Sequence, residues 1–259
     1  MRRLLVLWDV DYTLIDSDGV GRELYQTVFG EMFGLDMPQP GSMAGRTDRA
    51  IVVEVLSLAG VDDPRRHVDA FHQLMATHAP AMADRVVERV QVLPGAAEAI
   101  AALARLDGCG GSGGSGGAGG AGGSGGVGGS GLVQSLLTGN IRQLAEVKLG
   151  PLGLTEHLDL DAGAYGSTHE VRAELVHEAR RNASRAYRAD FGGDATVIVG
   201  DTPFDVEAAL ATGARAVGVA TGAFTVGDLA AAGAHAVLPD LADTALVVAA
   251  ILGTDPDAS

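Results

Sequence analysis

The apolar run Leu4-Leu5-Val6-Leu7-Trp8 stops on Asp9, and a second carboxylate, Asp11, follows two residues later. An unbroken apolar run of this length reads as a strand buried on both faces, as at the centre of a parallel sheet. In open α/β sheets, ligands bind outside the carboxyl ends of such strands. Two carboxylates held together in a poorly solvated crevice repel each other. They are tolerated when a divalent cation lies between them or when one keeps its proton. The opening residues thus demand a covered parallel sheet with a charged site at one end.

The rest of the chain supplies that sheet. Strand patterns recur at residues 4–8, 132–137, 195–199, 215–220 and 236–238. Helical patterns fall at 95–106, 140–149, 168–189, 203–212, 226–232 and 242–252, and this alternation predicts a Rossmann-like α/β core. Residues 17–92 break it. They read as helices only, at about 20–33, 47–59 and 64–89, with Ile51, Val55, Leu58, Phe71, Leu74 and Met75 at helical spacing. An all-helical unit is therefore expected at 17–92, inserted into a core made of 1–16 and 93–259. Residues 108–131 are a loose Gly-Gly-X repeat in which 16 of 24 residues are glycine. That composition predicts a disordered excursion, a tolerated expansion between a helix and a strand.

Lys148 is the only lysine, and every other basic side chain among the 18 Lys and Arg is arginine. A position that stays lysine in such a background points to a task for a compact ammonium. The net charge of −15 excludes a nucleic-acid surface, which needs a basic stripe. It also means that any anion must be captured locally. The single cysteine, Cys109, rules out an internal disulfide and suits a cytoplasmic setting. No apolar stretch approaches the length of a membrane span. The histidines show no metal-ligand spacing, and His67, His72 and His78 read as helix-surface residues.

Four separated pieces carry the chemistry. They are Asp9-x-Asp11-x-Thr13, Thr138 in Leu137-Thr138-Gly139-Asn140, Lys148, and Gly200-Asp201-Thr202-Pro203-Phe204-Asp205 behind Thr196-Val197-Ile198-Val199. Each has an ordinary structural explanation. The acids fit a strand-end turn, Thr138 fits a helix cap, and Thr202 to Asp205 matches a capping box with proline in the first turn. Those explanations do not account for all four falling in order on strand ends, where they can converge.

In this combination the chain resembles the haloacid dehalogenase-like (HAD) hydrolase superfamily over nearly its whole length. It is most similar to phosphoglycolate phosphatase-like members with a helical cap after the first motif. Tyr12 departs from the pattern, because glycine is usual there; the side chain is tolerable if its φ is not positive. The resemblance implies a Mg²⁺-dependent phosphomonoester hydrolase acting on a small phosphorylated metabolite, as a monomer or homodimer. Asp9 is then the nucleophile, and Asp11 the general acid and base. Asp9, the Asp11 backbone carbonyl and Asp201 bind Mg²⁺, with Asp205 as ligand or support. Thr138, Gly139, Asn140 and Lys148 hold the phosphoryl group, and Thr13 shapes the loop. The segment Gly45-Arg46-Thr47-Asp48 opens a cap helix. Arg46 there is either a specificity residue or a surface cation.

Three other readings stand beside this one. A sugar phosphomutase differs only in the lifetime of its aspartyl-phosphate. A 2-haloacid dehalogenase needs no leaving-group acid, so Asp11 counts against it. A non-catalytic module retaining the fold has no feature in its favour.

Overall fold

The computed structural model describes residues 3–108 and 131–254. The glycine-rich repeat therefore lies almost entirely outside the described residues. Six parallel strands form the central sheet: β1 (Leu4–Trp8), β4 (Leu132–Thr138), β5 (Ala164–Tyr165), β6 (Thr196–Gly200), β7 (Arg215–Val219) and β8 (Ala236–Leu238). Their order is β5-β4-β1-β6-β7-β8, and β1 lies in register against β4 on one side and β6 on the other. The chain builds outward from β1 in one direction, then returns to build in the other. That topology opens a crevice beyond the carboxyl end of β1.

The continuity of the apolar run in β1 now has its reason. Successive side chains of a strand point to opposite faces. Val6 and Trp8 join one hydrophobic cluster, while Leu5 and Leu7 join the other. Helices cover both faces. They are α5 (Ala96–Gly108), α6 (Arg142–Leu149), α7 (Arg172–Tyr187), α8 (Pro203–Ala211), α9 (Val226–Ala231) and α10 (Thr244–Leu252).

The helical cap contains α1 (Val20–Phe33), α2 (Asp48–Leu58), α3 (Pro64–His78) and α4 (Ala83–Arg89). Its apolar side chains, among them Leu24, Phe29, Val55 and Phe71, belong to the same buried cluster as Val6 and Trp8. A two-stranded antiparallel ribbon, β2 (Ile15–Asp16) with β3 (Gln91–Val92), ties together the segments that leave for the cap and return from it.

Several boundaries differ from expectation. The helix read over 64–89 is two helices separated by a tight 3₁₀ turn at Ala79–Met82. Pro80 lacks the N–H that a continuous helix needs there. The helix read from 168 starts at Arg172. The strands β2, β3 and β5 are two residues each, too short to leave a periodic signal. His72 is buried at 8% exposure rather than lying on a helix surface. It faces inward from α3, and burial, with Arg49 next, lowers its pKa to about 4.

Candidate active site

Asp9 is the first residue beyond β1, and its N–H donates to Val199 O at 2.9 Å, extending the ladder to β6 by one rung. This fixes the carboxylate at 5% exposure in the crevice. Asp201 and Asp205 reach the same place from the β6–α8 turn, and each is 2% exposed. Ligand oxygens of Asp9, Asp201 and Asp205 lie within 4.8 Å of one another. Asp205 also forms the expected capping box: its carboxylate accepts from Thr202 N and Oγ1 at 3.1 and 2.7 Å. Capping α8 therefore does not remove Asp205 from the acid cluster. A Cβ on Gly222 would stand 1.9 Å from Asp201 Oδ2, so only glycine fits beside this carboxylate.

The cation facing these acids is Arg172, which opens α7. Its Nη2 lies 2.9 Å from Asp9 Oδ1 and 2.7 Å from Asp205 Oδ1, and donates to Leu137 O at 3.0 Å. The contact with Asp205 is an ion pair without hydrogen-bond alignment, leaving Asp205 Oδ1 buried with no hydrogen-bond partner. Three carboxylates against one guanidinium keep an excess of negative charge. Burial pushes the Asp9 carboxyl well above its ordinary range; Arg172 pulls it down, while Asp205 and Asp11 push it up. Asp201 is likewise raised, by burial first and then by Asp9 and Asp205. A buried cluster of this kind, with more carboxylate charge than its guanidinium offsets, fits a divalent cation bound through oxygen ligands.

Lys148 lies in the site at 2% exposure, but it faces Asp11 rather than Asp9. Its Nζ donates to both Asp11 oxygens at 2.7 and 2.8 Å, and to Asn140 Oδ1 at 2.9 Å. Asn140 Nδ2 in turn donates to Asp11 Oδ2 at 2.7 Å and to Thr138 Oγ1 at 2.8 Å. Burial pushes the Asp11 carboxyl up. Lys148, with hydrogen bonds from Lys148, Ser17 and Asn140, outweighs it and holds the group below its ordinary range. The two acids of the first motif are thus driven apart, Asp9 up and Asp11 down. Thr13 Oγ1 points to Asp201 Oδ1 at 3.5 Å and not to Asp11.

Lys148→Arg is expected to lower kcat/KM by about 10²-fold, the usual effect of losing one preorganised polar contact. The ammonium fills its space: a Cβ placed on Gly21 of α1 would already lie 3.3 Å from Nζ. A planar guanidinium is larger and cannot repeat the three short contacts. Activity within a few-fold of wild type in steady-state assays would make Lys148 a structural cation only.

Tyr12 carries φ 59°, so the condition under which its side chain would be unstrained is not met. Left-handed backbone costs a non-glycine residue about 1–2 kcal/mol. Its ring is 39% exposed at the cavity rim and recovers little of this by burial. Tyr12→Gly should therefore raise stability by about 1 kcal/mol, net of the added freedom of the unfolded chain. A lower urea midpoint for the variant would mean that the ring packs better than its exposure indicates.

The cap seals the site along one seam. Asp48 N donates to Gly139 O at 2.7 Å and Arg49 N to Gly166 O at 2.9 Å. A Cβ on Gly139 would meet Arg46 O at 2.0 Å, so this approach requires glycine. The Asp48 carboxylate accepts from Ile141 N at 2.7 Å and from the Tyr25 hydroxyl. Burial raises Asp48 to about 6 against the lowering effect of these bonds. Thr47 is the N-cap of α2, and Arg46 is paired with Glu54. Between cap and core lies a cavity of about 340 Å³, lined by Asp9, Asp11, Thr138, Lys148, Arg172 and Asp201 from the core and by Arg22, Tyr25, Ser42 and Arg46 from the cap.

Residues 173–244 match the family model described as HAD-hydrolase-like. Solved structures align over most of the chain. A hydrolase from Pseudomonas syringae is 19% identical with a TM-score of 0.58, covering 93% of this chain and 95% of that one. A predicted phosphoglycolate phosphatase from Haemophilus somnus is 14% identical with a TM-score of 0.59, covering 95% and 98%. CbbY from Rhodobacter sphaeroides, in complex with phosphate, is 15% identical with a TM-score of 0.60, covering 93% and 96%. Identities this low establish the shared fold and nothing finer. No curated protein matches the chain. No described helix is long and apolar enough to cross a membrane.

Of the residues expected in the site, Asp9, Asp201 and Asp205 converge, and Asp11, Asn140, Thr138 and Lys148 form a second, adjoining network. Arg172 and the Tyr25–Asp48 pair were not anticipated. Arg172 is one arginine among many, and no spacing marks it; only the placement of α7 across the crevice does.

Proposed function

We propose that this protein is a HAD-like, Mg²⁺-dependent phosphomonoester hydrolase, similar in action to a phosphoglycolate phosphatase and working on a small phosphorylated metabolite. The observation that carries the reading is the buried cluster of Asp9, Asp201 and Asp205, an excess of carboxylate over its one facing guanidinium, opening on a cavity between cap and core. In this reading the cap comprises 17–92 and the core 1–16 with 93–259.

Asp9, Asp201 and Asp205, with the Asp11 backbone carbonyl, would hold Mg²⁺. The ion, when bound, would offset the excess of carboxylate charge and polarise a phosphoryl oxygen. The remaining work falls to side chains of the chain. An Asp9 oxygen attacks phosphorus, and the bond from phosphorus to the ester oxygen breaks. The departing oxygen takes a proton from the Asp11 carboxyl. A water then gives its proton back to Asp11 as its oxygen bonds to phosphorus, releasing phosphate and the Asp9 carboxylate. Thr138, Gly139 and Asn140 position the phosphoryl oxygens, and Arg172 orients Asp9. As placed, Lys148 keeps Asp11 ionised. A phosphate dianion entering beside Asp11 raises its carboxyl and competes for the ammonium, which prepares Asp11 as the acid.

The test is phosphate release from a panel of small phosphorylated metabolites. We expect turnover with Mg²⁺ and its loss in excess chelator. Failure to release phosphate from any panel member would end this reading. Undiminished turnover in chelator would point to the dehalogenase chemistry instead.

A further inference from the structure

Tyr12 follows Asp11 in the loop behind β1 and carries a strained backbone, φ 59°. Its surroundings hold it there. Its N–H donates to Ile15 O at 2.7 Å, and its carbonyl accepts from the Thr221 hydroxyl. A Cβ on Gly222 would stand 3.2 Å from the Tyr12 Cβ. Glycine would take this conformation freely, so the ring is present at the expense of stability. Strain that persists in this way clusters at ligand sites, where it serves the mechanism. Packing inside the fold does not offset it. Tyr12 is one of two exposed aromatic side chains among the described residues, and it pairs with no other ring there. The other, Phe204, lies outside the cavity between cap and core, whereas Tyr12 lines it together with Asp9 and Asp11.

From these observations we infer that Tyr12 is a specificity residue whose ring stacks against an aromatic or heteroaromatic leaving group of the substrate. The inference rests on the phosphatase reading for which group leaves. Aromatic rings attract each other in offset or edge-to-face arrangements, beyond what the burial of apolar area supplies. The charges around the ring disfavour an ionised group. Burial first, then the carboxylates of Asp16, Asp11, Asp201 and Asp18, raise the Tyr12 phenol, so its hydroxyl keeps its proton. The same carboxylates repel a carboxylate or a second phosphate at this point. Arg22 and Arg46, which line the cavity from the cap, oppose a cation. What remains is an uncharged ring. At about 340 Å³ the cavity is at the small end of ligand sites, which limits the leaving group to one ring or a fused pair. The favoured class is thus the phosphomonoester of a compact aromatic alcohol or hydroxylated heterocycle.

The test uses phosphonates, whose carbon–phosphorus bond a phosphatase does not cleave, so binding is read whether or not the protein releases phosphate. Benzylphosphonate is compared by calorimetry, with Mg²⁺, against its saturated counterpart cyclohexylmethylphosphonate. The proteins are wild type, Tyr12→Phe, Tyr12→Gly and Tyr12→Asn. Glycine and asparagine both accept left-handed backbone, so they remove the ring without adding strain. Wild type should bind the aromatic ligand about fivefold more tightly than the saturated one, the scale of one aromatic pair. Tyr12→Phe should keep that preference, and in Tyr12→Gly and Tyr12→Asn it should fall to within about twofold. A purely structural role for Tyr12 would leave the ratio unchanged in every variant, and a merely apolar rim would favour the saturated ring. No preference in wild type, a preference kept by either variant without the ring, its loss in Tyr12→Phe, or no binding of any phosphonate overturns the assignment. Phosphate release without the preference would sink the role of Tyr12 alone; the preference without phosphate release would sink the hydrolytic reading alone.

Discussion

Asp9→Asn is expected to lower phosphate release by about 10⁴-fold or more, the scale seen when a covalent nucleophile is removed. The amide is nearly the same size and keeps the Asp9 N–H bond to Val199 O, so the fold should persist. Stability gives a second, independent readout. The folded pKa of Asp9 lies above the ordinary carboxylate value, because burial and the neighbouring acids outweigh Arg172. Between those two values the folded state binds the extra proton, so stability falls as pH rises through the folded pKa. The neutral amide has no such penalty. In chelator, Asp9→Asn should therefore be more stable than wild type at pH 8, and the difference should shrink toward pH 4. Adding Mg²⁺ should then stabilise wild type more than the variant. Urea midpoints at several pH values, with and without Mg²⁺, give both comparisons. Retained turnover would end the covalent mechanism, and a variant less stable at every pH would show that Asp9 is held mainly by its pairing with Arg172.

Arg172→Met should be the most damaging substitution to stability in the site. Among the described residues it removes the only cation in contact with Asp9 and Asp205, and breaking a buried ion pair from one side typically costs about 3–5 kcal/mol. It also removes the bonds to Leu137 O and Gly45 O, which join α7 to β4 and to the cap segment. Without Arg172 the Asp9 carboxyl rises further, so the loss should be greater at pH 8 than at pH 5. Bound Mg²⁺ would offset part of it, and chemical denaturation is therefore best read in chelator. We also expect kcat to drop by about 10²–10³, through the loss of an electrostatic contact to the attacking carboxylate. If stability and rate both stay near wild type, Arg172 has no part in holding the acids.

The alternation of strands and helices, the break in it at the cap, and the order of the strand-end motifs are all local patterns. Apolar periodicity and turn chemistry report such patterns directly, which is why Asp9, Asp201 and Asp205 could be placed on converging strand ends from their neighbours alone. The two-residue strands leave no period to read. Pro80 was visible, and its break in the helix over 64–89 follows from the missing N–H.

What faces what across the crevice is a different kind of information. Lys148 stood out as the lone lysine and does lie in the site, yet its partner is Asp11, while an arginine with no distinguishing spacing stands over Asp9. Tyr12 takes a left-handed backbone because the loop behind β1 must turn there, whatever residue occupies it. His72 is buried because α3 packs that edge inward, and Asp18 and Glu23 are paired with arginines from α4. Sequence alone determined which acids this chain gathers and at which end of the sheet. The pairing of its charges was decided only by tertiary structure, since a Coulombic contact depends on separations of a few ångströms between elements far apart in the chain.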